Sequence, residues 1–494
     1  HFLPIYIISV YNPKTTQKNV NAKFFYFFIK KVLQTISERG ILKPVKKSFA
    51  LTEYISREEK IMANTWIKKS FVVGLAGLAL AACGSKSSDS SKGGSSEGKK
   101  EFTLYSNKSE IQDALTAYAK EWGDKNGVTV NIKTCSGSCK IADQLKTEFT
   151  AGTAPDVFVI EGQAGYDLWK DNLQPLKGDW IDKTEFEFKQ GNDVYGFPVA
   201  VEGYGLAYNK ELLSKAGIDP ASLTSFDAVQ KAMDTLESKK DELGLSTVVA
   251  TATKEGETWI MGIHDFAAYL SSGLPNGDRT ITQQVIKGET DKARLSNYAD
   301  WVELLFKHTE KKLLTVGTQE DMDSAFASGK AAFLHQGNWK DPNLKQLNAK
   351  FEMGFIPYQT LGKDKNADGL FIGAPSYYVV NKDTKALDSI NKFFADLVDT
   401  KEGQDYTVNK ANMISAFSTS KEMPSAPLSK FLAEWVAAKK PVYSFDNPYF
   451  MPDNFLMGKL GPIFGQYAQG SIDKAKFQEL ITNQIKEVPS LLQK

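Results

Sequence analysis

The sequence is poor in histidine, cysteine and, over most of its length, arginine. Of 494 residues, four are histidine and three are cysteine. His264, His308 and His335 lack the spacing of a metal site. No phosphate loop of the G-x-x-x-x-G-K-S/T type occurs, and no Ser/His/Asp constellation is visible. No metal and no cofactor are expected. After residue 82 only Arg279 and Arg294 remain, and 47 Lys and Arg stand against 55 Asp and Glu, a net charge of −8. An acidic, arginine-poor chain is a poor partner for a phosphate backbone, so nucleic acid is excluded as a ligand. Long apolar runs are scarce as well. The run from Phe71 to Ala82 is about a dozen residues, where a helix spanning a bilayer needs roughly 20.

What is there begins with that run. Lys68 and Lys69 precede it, and Leu80-Ala81-Ala82-Cys83 closes it. Basic residues, a short apolar core and small residues are the order of an export signal. The last four residues resemble a bacterial lipobox, which implies acylation of Cys83. The signal lies far into a chain that opens on His1. Met62 follows "SREEKI", whose Arg-Glu-Glu-Lys can be encoded by a purine run resembling a ribosome-binding site. Residues 1–61 therefore read as an upstream segment that the cell does not translate, and 62–82 as the signal peptide. Residues 83–100, rich in Ser, Gly and Lys, read as a flexible tether. Cys135 and Cys139 lie in "TCSGSC". Outside the cytoplasm a disulfide across this turn is favoured over a metal site or a redox pair, which more usually has C-x-x-C spacing.

From Glu101 onward strand and helix signals alternate. "EFTLYS", "VTVNI" and "PDVFVI" read as strands. Ile111, Leu115, Ala119 and Trp122 mark one helical face, and Ile141, Leu145 and Phe149 another. This order predicts an α/β fold with a parallel sheet. Leu387, Ile390, Phe394 and Leu397 mark a later helix, and Asp473–Leu492 a last one.

Three segments carry a family resemblance. "YGFPVAVEGYGLAYNKELLSKAGIDP" (Tyr195–Pro220) resembles the signature of bacterial extracellular solute-binding proteins of the sugar-binding group, which includes maltose-binding proteins. Pro198, Glu202, Gly205, Leu206, Tyr208, Asn209, Leu213 and Lys215 carry it, while Ala207 replaces a usual larger apolar residue. "GTAPDVFVIEG" (Gly152–Gly162) and "SGKAAFLHQGNW" (Ser328–Trp339) agree in order and spacing. The resemblance implies a type II fold of two α/β lobes joined by hinge strands, with the ligand in the cleft between. It places crossings near Val201–Ala207, Gly354–Tyr358 and Met413–Ser418. The N-terminal lobe would then comprise 101–203 and 358–414, and the C-terminal lobe 207–354 and 418–494.

A sugar offers hydroxyls and apolar C–H faces, so its site needs flat rings and polar side chains. Trp339 and Trp259 are the stacking candidates, and Tyr204 can stack or cap the hinge. Glu202 matches the family's ligand-contacting carboxylate, with Gly203 and Gly205 beside it allowing close backbone approach. Asn107 and Lys108 follow the first strand, and Glu161 ends the third. Asn338, Asn454 and Phe455 complete the candidates. The expected protein is a monomeric, non-enzymatic receptor of an ABC importer. It would be anchored outside the cell membrane by lipid, and would close on an oligosaccharide and deliver it to the permease. Alternatives are a binder of a polyamine or peptide, or a secreted carbohydrate-active enzyme using Glu161 and Glu202. N-terminal sequencing and intact mass of the native product should give a chain that starts at an acylated Cys83. A product retaining residues before Met62 would refute that start.

Overall fold

The computed structural model describes residues 101–135 and 139–493. Cys83, the apolar run before it, the tether and residues 1–61 lie outside the described residues.

The first lobe is built on a six-stranded sheet. From edge to edge its strands are Thr129–Thr134, Glu101–Ser106, Val157–Glu161, Ser376–Val380, Asp193–Pro198 and Phe188–Gln190. Glu101–Ser106 runs parallel to both of its neighbours, as the alternation of strands and helices predicts. Ser376–Val380 enters from the other lobe and pairs antiparallel on both sides, so the sheet is mixed. Helix Gln112–Asn126 buries Leu115, Tyr118, Ala119 and Trp122 and ends on Gly127 in the left-handed conformation (φ 66°). Helix Leu387–Asp399 covers the same side through Ile390, Phe393 and Phe394. The rings of Phe393 and Trp122 meet edge to face at 5.1 Å. Such pairs add about 0.5–1.5 kcal/mol beyond the burial of their area. Cys135 and Cys139 are bonded, with Cα atoms 5.5 Å apart. The bond sits just beyond the strand Thr129–Thr134, and the Cys135 amide donates to the Ser106 carbonyl (2.8 Å).

The second lobe has the larger core. Its main sheet orders Met353–Ile356, Leu206–Asn209, Ala331–Leu334 and Thr247–Ala250. A smaller sheet orders Val442–Ser444, Leu370–Gly373 and Glu202–Tyr204. The Tyr208-Asn209 signature has a structural cause. Asn209 caps helix Lys210–Ala216 by accepting from the Leu212 amide (3.1 Å), and Gly217 ends that helix at φ 77°. Capping by Asn is worth about 1 kcal/mol over Ala. Leu213 on this helix is fully buried.

The chain passes between lobes at three places. Val201 pairs with Ile414, and residues 202–203, expected in the N-terminal lobe, lie instead in the small sheet of the second, because Glu202–Tyr204 pairs with Leu370–Gly373. The second passage is displaced. Tyr358, Ala367, Leu370, Phe371 and Ile372 are packed in the larger core, and the chain enters the first sheet only at Ser376. Residues 358–373, expected in the N-terminal lobe, thus belong by packing to the other one. They stay there because Leu370–Gly373 supplies the middle strand of the small sheet.

Gly205 lies where the chain leaves that small sheet for the larger one. A β-carbon there would stand 2.5 Å from the Ile356 carbonyl oxygen. Backbone cannot yield as a flexible side chain can. Gly205→Ala is therefore expected to lower unfolding free energy by about 1–3 kcal/mol, read as a reduced urea midpoint with an unchanged slope. An unaltered midpoint would show that the close approach has no energetic weight.

Candidate functional site

Three side chains reach the cleft from the ends of the first lobe's strands. Asn107 and Lys108 follow Glu101–Ser106, and Glu161 closes Val157–Glu161. Asn107 Nδ2 donates to Glu161 Oε1 at 3.0 Å. Lys108 Nζ donates to Glu202 Oε1 of the small second-lobe sheet. The two side chains of that ion pair are 12% and 9% exposed, so the pair is nearly dry. Burial alone would push the Lys108 ammonium toward neutrality. Glu202, Glu110 and Glu161 outweigh that, and its pKa is raised. The Glu161 and Glu110 carboxyls are pushed up chiefly by burial, with Lys108 pulling the other way.

The second lobe contributes rings. Trp339 is half-buried, and its Nε1 donates to Gln336 Oε1 at 2.9 Å. The His264 ring lies 4.8 Å from that of Trp339 and 5.3 Å from that of Trp259. Trp259 is half-buried too, and Glu257 accepts its Nε1–H at 3.1 Å. The His264 imidazole is held neutral: burial, then His335 and Lys108, lower its pKa to about 3. His264 escapes sequence reasoning for a geometric reason. Residues five apart do not share a face of an α-helix, but Ile260–Asp265 is a π-helix, whose repeat brings such residues together.

The loop that carries Trp339 is fastened at several points. The Trp339 ring folds over Gly337, where a β-carbon would come within 2.1 Å of it. Asn338 Oδ1 accepts from the Gly203 amide (2.9 Å), and its Nδ2 donates to Ser429 Oγ (3.1 Å). Asp341 accepts from the Leu428 and Ser429 amides at 3.1 and 2.7 Å, at the start of helix Pro427–Ala437. Burial raises the Asp341 carboxyl to about 6 against the pull of those hydrogen bonds.

Three expected site residues take other places, and a fourth, Asn338, borders the cleft with both ends of its amide engaged by protein. Tyr204 is 1% exposed and stacks on Phe371 at 4.8 Å, beneath His264, so it supports the rings from below. Phe455 is 1% exposed in the core because its segment packs inward. Asn454 is exposed at a left-handed turn (φ 58°). Asn107, Lys108, Glu161, Glu202, Trp259 and Trp339 remain in one neighbourhood.

The cleft is shut. A cavity lined by Glu110, Glu202, Trp339 and Asn412 among others has a volume of about 10 Å³. That is about the lower limit for holding a single water. A hydrolase-like arrangement also exists, with Thr251 Oγ1 3.0 Å from His335 Nδ1 and His335 Nε2 3.2 Å from Asp265 Oδ1. All three side chains are buried in the core behind Tyr358, and Asp265 is further held by Tyr298 and Trp301.

Residues 117–439 match the family described as bacterial extracellular solute-binding protein. The chain belongs to that family. Among its relatives, the multiple sugar-binding protein of Streptococcus mutans serotype c is 26% identical over 395 residues, covering 74% of this chain and 87% of its own. The maltooligosaccharide ABC transporter solute-binding lipoprotein of Streptococcus pneumoniae serotype 4 is 27% identical over 376 residues, covering 72% and 82%. A sugar transporter of Bacillus licheniformis, solved in complex with stachyose, superposes with a TM-score of 0.61 at 16% identity, covering 78% of this chain and 100% of that one. At that identity the likeness speaks for the two-lobe α/β fold alone.

For a solute-binding protein the Lys108–Glu202 pair has a testable consequence. Leaving a buried carboxylate unpaired costs about 3–5 kcal/mol. In a hinged protein the carboxylate can escape that cost by opening to water. Lys108→Met is therefore expected to raise the radius of gyration in small-angle scattering while thermal unfolding stays cooperative. An unchanged radius would show that the pair does not hold the lobes together.

Proposed function

We propose that the protein is a lipid-anchored receptor of an ABC importer that captures an oligosaccharide by closing its two lobes. One observation carries the reading: hydroxyl-seeking groups on one lobe face a fixed set of aromatic rings on the other. Asn107, Lys108 and Glu161 come from the first lobe, and Glu202, Trp259 and Trp339 from the second. A saccharide presents hydroxyls and C–H faces together, so it uses both lobes only when they are shut. Binding then shifts the population toward the closed form.

The cavity in the shut cleft has about 10 Å³, so capture starts from an opened state. On entry, sugar hydroxyls replace the hydrogen bonds that Lys108, Glu202, Asn107 and Glu161 make with each other. Trp339 is preorganised for stacking because Asn338 and Asp341 fix its loop. The closed lobes present one surface to a permease, and acylation at Cys83 keeps the receptor at the outer face of the membrane. One acyl chain binds weakly, so stable anchoring calls for more than one.

Names of relatives support the ligand class: both curated relatives described above are named for sugars. A polyamine fits less well, since Lys108 already places an ammonium among the carboxylates. Absence of catalysis belongs to the same proposal. The Thr251–His335–Asp265 arrangement is inaccessible, and Glu161 and Glu202 are engaged by Asn107 and Lys108.

A thermal-shift screen against mono- and oligosaccharides, polyamines and peptides tests the ligand class. A ligand at 100 times its dissociation constant adds about 2.7 kcal/mol of stability. Shifts with oligosaccharides, and intact saccharide after incubation, are expected. Shifts only with polyamines or peptides, or cleaved product, would overturn the reading. Trp339→Ala is expected to weaken sugar binding by more than about tenfold, or about 1.4 kcal/mol, with the melting temperature of the free protein retained. Unchanged affinity would remove Trp339 from the site.

A further inference from the structure

The short turn Asn447–Phe450 belongs to the second lobe yet touches the first. Its Tyr449 is 7% exposed and packs in the larger core, parallel to Phe445 at 6.4 Å. The turn is fastened to its own lobe. Asn447 Nδ2 donates to Ser271 Oγ (2.8 Å) and to the Asp278 carbonyl (2.9 Å). Asp446 pairs with Arg279 at 2.8 Å, and the guanidinium of Arg279 lies 4.2 Å from the centre of the Phe450 ring. Tyr449 is therefore held by the second lobe.

Opposite it stands Gly162, the first residue of helix Gly162–Trp169 in the first lobe. Its amide donates to the Pro375 carbonyl (3.2 Å), at the second passage between lobes. Gly162 has φ 50°, and a β-carbon on it would lie 2.6 Å from Tyr449 Cβ. The Tyr449 side chain is thus seated on bare backbone, next to Glu161. Burial, then Glu161 and Glu202 among its neighbours, raise the phenol's pKa, so the group is neutral. Lys146 of the first lobe and Asp453 of the second meet nearby in sequence at 3.6 Å, a second contact across the lobes.

We infer that Tyr449 walls the flank of the cleft beside the Gly373–Ser376 passage and so limits the length of saccharide the protein accepts. The inference rests on the sugar reading above. A bound saccharide can extend toward Trp339 and Asn412, where the cavity lies. Toward Pro375 it meets a ring that the second lobe holds in place and the first lobe closes upon.

The test titrates the full chain with maltooligosaccharides of increasing length, and with raffinose and stachyose, by isothermal calorimetry. The wild type is expected to show a length beyond which affinity falls. In Tyr449→Ala that cut-off moves to longer chains, with a gain of roughly tenfold for the first oligomer previously rejected. Tyr449→Leu, which keeps apolar bulk for the core, is expected to shift the cut-off in the same direction with a retained melting temperature. Identical length profiles in the wild type and Tyr449→Leu would overturn the inference. Failure of the wild type to bind any of these sugars would overturn the sugar reading itself.

Discussion

The ion pair of Lys108 and Glu202 is the constraint around which the cleft is arranged. Each charge is nearly dry in the shut form; Lys108 compensates Glu202, and Glu202, with Glu110 and Glu161 near it, compensates Lys108. The two residues come from different lobes, so the pair joins the lobes across the cleft. Water can take the place of either partner when the cleft opens, and polar groups of a ligand can do so when it closes again. A buried pair of this kind contributes little net stability to a fold. On the reading proposed above, it makes the closed arrangement conditional on what occupies the cleft.

Around that pair the two lobes divide the chemistry. Strand ends of the first lobe bring polar groups, because residues that leave the end of a parallel strand are released from the sheet's hydrogen bonding. The second lobe brings rings whose carriers are locked by buried hydrogen bonds. Asn338 ties the Trp339 loop to the Gly203 strand, and Asp341 ties it to helix Pro427–Ala437. Glu257 fixes Trp259 and also accepts from the Gln319 amide at 3.2 Å. Rings held in this way lose little freedom on stacking, which favours binding.

Periodicity and turn chemistry made several elements legible in the chain. The strands at Glu101 and Val157, the helix that carries Leu115 and Trp122, and the helix that carries Ile390 and Phe394 all follow from the spacing of apolar residues. Asn107, Lys108 and Glu161 were legible as strand-end residues, and Glu202 and Trp339 through the family resemblance. The mixed sheet was not legible, since nothing local in Ser376–Val380 states which strand it will pair with or in which direction. The second passage was misplaced for a related reason. Residues 358–373 read equally well as part of either lobe until Leu370–Gly373 finds its partners in Glu202–Tyr204 and Val442–Ser444.

The residues themselves determined the α/β class, the acidic and arginine-poor character and the membership of the solute-binding family, because these depend on composition and short-range pattern. Tertiary structure alone decided which aromatics face the cleft. Tyr204 and Phe455 carry the same kind of apolar ring as Trp339, but packing sends them into the core. His264 was brought beside Trp339 by a π-helical turn, and Tyr449 was brought against Gly162 by a contact across some 290 residues of chain. Side-chain type is a local property, whereas burial is set by every element packed around it.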